Sequence, residues 1–86
     1  MNPSFRVYIL RNPHGRLYIG ITGDVATRVA QHNAGGSKWT AKYRPWTLIW
    51  ESPDLSLSEA RKLENYLKRQ KGGNGFRQLI GLPSGS

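Results

Sequence analysis

Residues 5–21, "FRVYILRNPHGRLYIGI", decide the fold. Two short runs, 5–11 and 16–21, are rich in β-branched, aromatic and aliphatic side chains, and the Asn-Pro-His-Gly between them favours a tight reversal. They read as an antiparallel hairpin, with His14 as a turn residue. In the second run Leu17, Ile19 and Ile21 alternate with Arg16, Tyr18 and Gly20, which sets Tyr18 on the face opposite those aliphatics; in the first, Val7 and Ile9 oppose Tyr8. The two phenols share a face if the register allows. Taken alone, they are ordinary hairpin aromatics.

Downstream, Asp24 or Thr22 can cap a helix over "DVATRVAQHNAGG", which carries Val25 and Val29 one turn apart and ends in paired glycines. Arg28 and His32 border that stripe and can lean toward whatever it covers. "SKWTAKYRP", residues 37–45, reads as a basic, aromatic loop, and "WTLIWE", 46–51, as a third strand whose Trp46 and Trp50 share one face in the core. Ser56 and Glu59 form a capping box that opens a second helix running to about Lys71, with Leu57, Ala60, Leu63 and Leu67 as its buried stripe. Glu64 has Leu57, Ala60 and Leu67 as wheel neighbours, an unusual setting for a carboxylate. A short helix from about Asn74 closes the chain with Phe76, Leu79 and Ile80. The sum is β-β-α-β-α-α, an α+β fold with a three-stranded, mainly antiparallel sheet against helices.

The 86 residues allow one compact domain, ordered over about 5–80, with "GLPSGS" at 81–86 expected to fray. Thirteen Lys and Arg against five Asp and Glu give a formal charge of +8, and such a surface attracts polyanions, nucleic acid first. The basic residues are scattered rather than gathered beside an apolar helix, which ranks a membrane surface far lower. Without cysteine there is neither a disulfide framework nor a thiolate metal site. That, and the lack of a signal-peptide core or membrane span, suits a cytoplasmic protein.

With Tyr8 in "VY", Tyr18 in "YIG" ten residues on, Arg28 ten beyond that, His32 one turn later, Glu64 on a helix and Asn74 after it, the chain resembles the GIY-YIG nuclease family from about Phe5 to Ile80. "LYIGIT" followed by "RVAQHN" carries most of the likeness, and "GSKWTAKYRPW" is similar to the short stand-alone bacterial members. The resemblance implies an endonuclease that hydrolyses DNA phosphodiesters with Mg²⁺ or Mn²⁺. Tyr8 and Tyr18 then match the two motif tyrosines, Arg28 the arginine on the scissile phosphate, His32 the histidine of some branches, Glu64 the metal ligand and Asn74 the asparagine after the helix. Arg6 and Val7 depart from the first motif, and Ile21 and Thr27 stand where several members have lysine. A lysine near the phenols would then come from Lys38 or Lys42.

The chemistry of these residue types agrees. Phosphodiester hydrolysis needs an activated water, countercharge for the developing phosphorane and help for the leaving oxygen. Arg28 offers a planar, permanently charged fork for two phosphate oxygens. Glu64 is one hard oxygen ligand, which fits a single hydrated Mg²⁺ and a one-metal mechanism with a tyrosine-assisted water. A tyrosine has a pKa of about 10, so it acts as a base only beside a cation or a metal-bound water. Lys38, Trp39, Lys42 and Arg44 form a candidate nucleic-acid surface, with Trp39 able to stack on an unpaired base.

Plainer roles stand beside these. Arg28 can be a solvated helix residue, His32 a partner of the helix dipole, Glu64 the i,i+4 mate of Lys68, and Asn74 the cap of the last helix. Three functions follow: a nuclease, a nucleic-acid-binding module that has lost turnover, or a small subunit docking on a DNA repair factor through its aromatics. Retention of Tyr18, Arg28 and Glu64 together favours the first. Branched, flap and single-stranded DNA, and RNA, all stay open as substrates, and a protein partner supplying targeting is compatible with the sequence.

Overall fold

The computed structural model describes residues 4–36 and 38–70. Strands β1 (Arg6–Arg11) and β2 (Leu17–Thr22) form the hairpin, followed by helices α1 (Val25–Asn33) and α2 (Lys38–Lys42), strand β3 (Thr47–Glu51) and helix α3 (Leu57–Gln70). The strands make one antiparallel sheet in the order β2-β1-β3. The fold is α+β, as the sequence leads one to expect. The described elements run β-β-α-α-β-α, because the segment expected as a loop carries α2. The expected closing helix, and Asn74 with it, lies outside the described residues.

The central strand is covered on both faces, which is why "VYIL" is apolar without interruption: Val7, Tyr8, Ile9 and Leu10 are all buried. On one face α3 lays Ala60 and Leu67 against Val7, Ile9 and Ile19. On the other, Tyr8, Leu10 and Trp46 pack with Tyr18, Val25, Val29 and Tyr43. The two motif tyrosines do share a face, on the α1 side.

Local chemistry sets the element ends. Asn12 is buried and closes the "NPHG" turn: its Oδ1 accepts from the backbone N–H groups of His14 and Arg16, while Gly15 supplies a φ of +84°. Asp24 is the N-cap of α1, accepting from the Thr27 N–H at 3.1 Å. The Ser56–Glu59 capping box forms in both directions. Two expectations about the core are corrected. Leu57 is exposed, because Leu55, bridged to Phe5, takes the place beside the core that the helix stripe assigned to it. Trp46 and Trp50 do not share a face: the β1–β3 register slips by one residue at Ile9/Leu10, and across that bulge Trp50 joins the α3-side cluster while Trp46 stays with Tyr8. Among the described residues no helix is long and apolar enough to cross a membrane.

Candidate active site

Tyr8 and His32 meet in the interior. The Tyr8 hydroxyl lies 2.9 Å from His32 Nε2, and His32 Nδ1 lies 3.0 Å from the Thr40 Oγ1. All three side chains are buried. His32 comes from the last turn of α1, on the rim of the Val25/Val29 stripe, so the turn that seats the valines on the sheet also turns the imidazole toward β1. His32 does lie in the last turn of α1, where the helix dipole acts, and its ring is at the same time buried against Tyr8 and Thr40. Thr40, which no sequence signal singled out, sits on α2. Trp46 anchors that short helix by donating its indole N–H to the Thr40 carbonyl at 2.7 Å, and Asn33 holds Trp46 by bonding both its backbone N–H and its carbonyl.

The register explains the glycine of "YIG". Gly20 pairs with Tyr8 across the hairpin, and a Cβ there would lie 2.6 Å from the phenol oxygen and 2.8 Å from Cζ. The ring has no room to retreat, with His32 and Tyr18 packed beside it. Gly20→Ala is therefore expected to cost about 1–3 kcal/mol as an overpacking change. It should also break the Tyr8–His32 bond, which a denaturation midpoint and the Tyr8 ring resonances will report together.

Tyr18 links this interior pair to the surface. Its ring meets His32 edge-on at 4.7 Å, and Tyr8, Trp39 and Trp46 lie within 6.3 Å, centroid to centroid. Along edge strand β2 it lines a concavity of about 310 Å³ with Leu17, Ile19, Trp39, Glu64 and Lys68. Glu64 is mostly covered, its side chain 20% exposed, and it also pairs with Lys68 at 3.4 Å. The apolar setting and the ion pair thus coexist. A second concavity, about 380 Å³, is lined by Arg28, Gln31, His32 and Gly36. Arg28 is exposed, its guanidinium 3.5 Å from Gln31 Oε1. Tyr18, which lines the first hollow, and His32, which lines the second, are in contact.

The basic, aromatic segment is arranged differently from expectation. Lys38 and Lys42 are exposed, and neither lines the Glu64 hollow; the lysine beside Tyr18 is Lys68. Lys42 and Arg16 instead flank the Tyr43 ring, at 5.5 Å and 4.3 Å. Arg44 lies against Gly35, past the end of α1. Trp39 is 42% exposed and rests on Trp46 at 5.6 Å with nearly parallel rings.

Burial, more than any charge, pushes the Tyr8 phenol well above its ordinary value; Tyr18 adds to this and Arg28 opposes it. Tyr8 is a protonated phenol at neutral pH. Burial, then the Arg28 charge, pulls the His32 imidazole below its ordinary 6.5. As pH falls below that value the unfolded chain takes up a proton at His32 before the folded one does, so stability is lost from 6.5 downward until the folded imidazole itself titrates. The caps Asp24 and Glu59, both held below their ordinary values by hydrogen bonds, act only in a lower window. Urea midpoints measured between pH 7.5 and 5.5 should fall in the wild type and stay nearly level in His32→Gln.

The family model of the GIY-YIG catalytic domain matches residues 4–77. A UPF0213 protein of Desulfotalea psychrophila is 38% identical over 69 residues, 78% of this chain and 63% of the relative, so the match spans just under two thirds of that protein. A UPF0213 protein of Cronobacter sakazakii is 44% identical over 64 residues, 73% of this chain and 67% of the relative. One of Streptococcus pneumoniae is 41% identical over 72 residues, 83% and 73% respectively. No solved structure matches the chain.

Proposed function

This chain belongs to the GIY-YIG nuclease family, and from that premise we propose that it is a divalent-metal-dependent endonuclease hydrolysing DNA phosphodiesters at the Tyr18–Glu64–Arg28 surface. The observation that carries the reading is the Tyr18–His32 contact, in which a residue lining a hollow with a carboxylate touches a residue lining a hollow with a guanidinium. A nucleic-acid backbone running across this ring pair would meet the Arg28 guanidinium in one hollow and the Glu64 carboxylate in the other.

Arg28 binds the non-bridging phosphate oxygens and offsets the charge that grows on them in the transition state. Tyr18, half-buried and open to the hollow, orients the attacking water through its phenol oxygen. Tyr8 keeps its proton and shares it with His32 Nε2, so it is a poor base and serves to hold the ring cluster. Glu64 fits a hard divalent cation: it is one carboxylate, its ion pair with Lys68 is of the i,i+4 kind worth about 0.5 kcal/mol or less, and among the described residues no group of three His, Cys, Asp or Glu offers a closed protein cage. That donor set suits Mg²⁺ or Mn²⁺, which keep waters and take further oxygens from a phosphate. Such a cation supplies Lewis-acid charge at the phosphoryl group and the leaving oxygen. Trp39 and the cations Arg16, Lys38, Lys42 and Arg44 extend the surface for the flanking strand.

The experiment is a cleavage panel of labelled branched, flap and single-stranded DNA with matching RNA, run with Mg²⁺, Mn²⁺ or EDTA. Metal-dependent nicking is expected, and log affinity should fall linearly with log salt concentration. Salt-steep binding without nicking would make the chain a binding module. Salt-independent affinity would point to docking on a protein.

A further inference from the structure

We propose that Thr40 is a positioning residue that fixes the tautomer of His32 and, through it, the direction of the Tyr8 hydroxyl; this rests on the reading in which the Tyr8–His32 pair supports the chemistry. The inference begins with Tyr8. Its phenol is buried and has to place its proton inside the protein. A phenol is a stronger donor than acceptor, and the ring nitrogen 2.9 Å away is His32 Nε2. When Nε2 accepts that bond, the single proton of the neutral imidazole sits on Nδ1. The group facing Nδ1 is the Thr40 hydroxyl oxygen at 3.0 Å.

Thr40 is well placed to hold this choice, its hydroxyl oxygen accepting from Nδ1–H. It is 0% exposed, and its own backbone is pinned by the 2.7 Å bond from the Trp46 indole. Asn33, one residue after His32, grips Trp46 in turn. The histidine and its orienting hydroxyl are thus tied into one frame from both sides. Which ring nitrogen carries the proton is set by the bond the other nitrogen makes. With the ring locked, the Tyr8 hydroxyl and the Tyr18 ring stacked edge-on against His32 are held in register with the two hollows.

The chain has two histidines, His14 in the exposed turn and His32 inside, so ¹⁵N-histidine labelling gives a spectrum of two imidazoles. Long-range ¹H–¹⁵N correlations at pH 7.5 are expected to show His32 protonated on Nδ1. Thr40→Val, which keeps the shape and loses the hydroxyl, should move the proton toward Nε2, and Thr40→Ser should keep it on Nδ1. On a labelled single-stranded DNA oligonucleotide with Mn²⁺, Thr40→Val should lower kcat about tenfold with KM little changed, and Thr40→Ser should recover most of the loss. A wild-type ring protonated on Nε2, or a Thr40→Val ring unchanged from wild type, overturns the proposal. If Thr40→Val does not fold, Thr40→Ala is read in its place, and a ring unchanged from wild type overturns the proposal. A shifted ring with unchanged kcat upholds the positioning by Thr40 and overturns the functional reading of the Tyr8–His32 pair.

Discussion

Glu64→Gln is expected to abolish cleavage while leaving the fold and DNA binding intact. The substitution keeps the side chain's shape and removes only the charge, so Leu17, Ile19 and Trp39 keep their neighbour in the hollow. The lost ion pair with Lys68 is an i,i+4 bridge, and its loss should move stability by about 0.5 kcal/mol or less. Affinity for DNA rests on the many cations and should stay level or rise, since a negative charge is gone from the binding face. The rate is another matter. A neutral amide is a poor ligand for a hard divalent ion, and among the described residues lining the hollow Glu64 is the single carboxylate. Single-turnover cleavage, fluorescence anisotropy and urea denaturation of the same preparation separate the three quantities. Cleavage at the wild-type rate would remove Glu64 from the site.

Arg28→Ala comes next in expected effect. Arg28 is exposed and its intramolecular bond is a long one to Gln31, so the truncation should leave stability nearly unchanged. Loss of a charged donor aimed at the developing oxyanion typically costs about 2.7–4 kcal/mol, a fall of about 10²–10³ in kcat. Arg28→Lys should recover part of this, because a point charge cannot engage two oxygens as the guanidinium fork does. The variant carries an internal check. Arg28 depresses both the His32 and Tyr8 values, so its removal should raise the His32 titration midpoint toward 6.5 and push Tyr8 further up. A fall in rate without a rise at His32 would mean that the guanidinium acts on the substrate from farther off than the structure places it.

Much of the fold was legible because its signals are local. The hairpin follows from alternation on either side of a turn whose Asn12 and Gly15 do what those residue types do best. Both long helices announce their starts through side chains that bond backbone N–H groups three residues on. What was hidden depends on partners far along the chain. Helix α2 has no strong propensity of its own and exists because Trp46 and His32 hold Thr40. The bulge that parts Trp46 from Trp50 leaves no mark in a run where Leu48, Ile49 and Trp50 are apolar in succession. Leu57 fits the helical stripe as well as its neighbours, and only the Phe5–Leu55 bridge shows why it is displaced.

The candidate site divides in the same way. The spacing of Tyr8, Tyr18, Arg28, His32 and Glu64 led to residues that the fold brings around one ring cluster, and the glycine of "YIG" gained a steric reason only once the hairpin register was known. Thr40 and Lys68 were missed as site residues, since a threonine in an expected loop and a lysine on an exposed helix face carry no pattern. Of the two lysines that could reach toward the phenols, Lys42 lies against the Tyr43 ring, and the lysine lining the Glu64 hollow is Lys68. The part played by Asn74 falls outside the described residues.

The central claim is that a divalent cation sits beside Tyr18 on the carboxylate of Glu64. Titrating substoichiometric Mn²⁺ into ¹⁵N-labelled protein tests it most directly, because paramagnetic broadening marks the residues near the ion. The account predicts broadening centred on Leu17, Tyr18, Ile19, Glu64 and Lys68, lost in Glu64→Gln. Broadening centred instead on Glu51 and Asp54, the carboxylates that pair with Arg6 away from this hollow, or retained in full without the Glu64 charge, would contradict it.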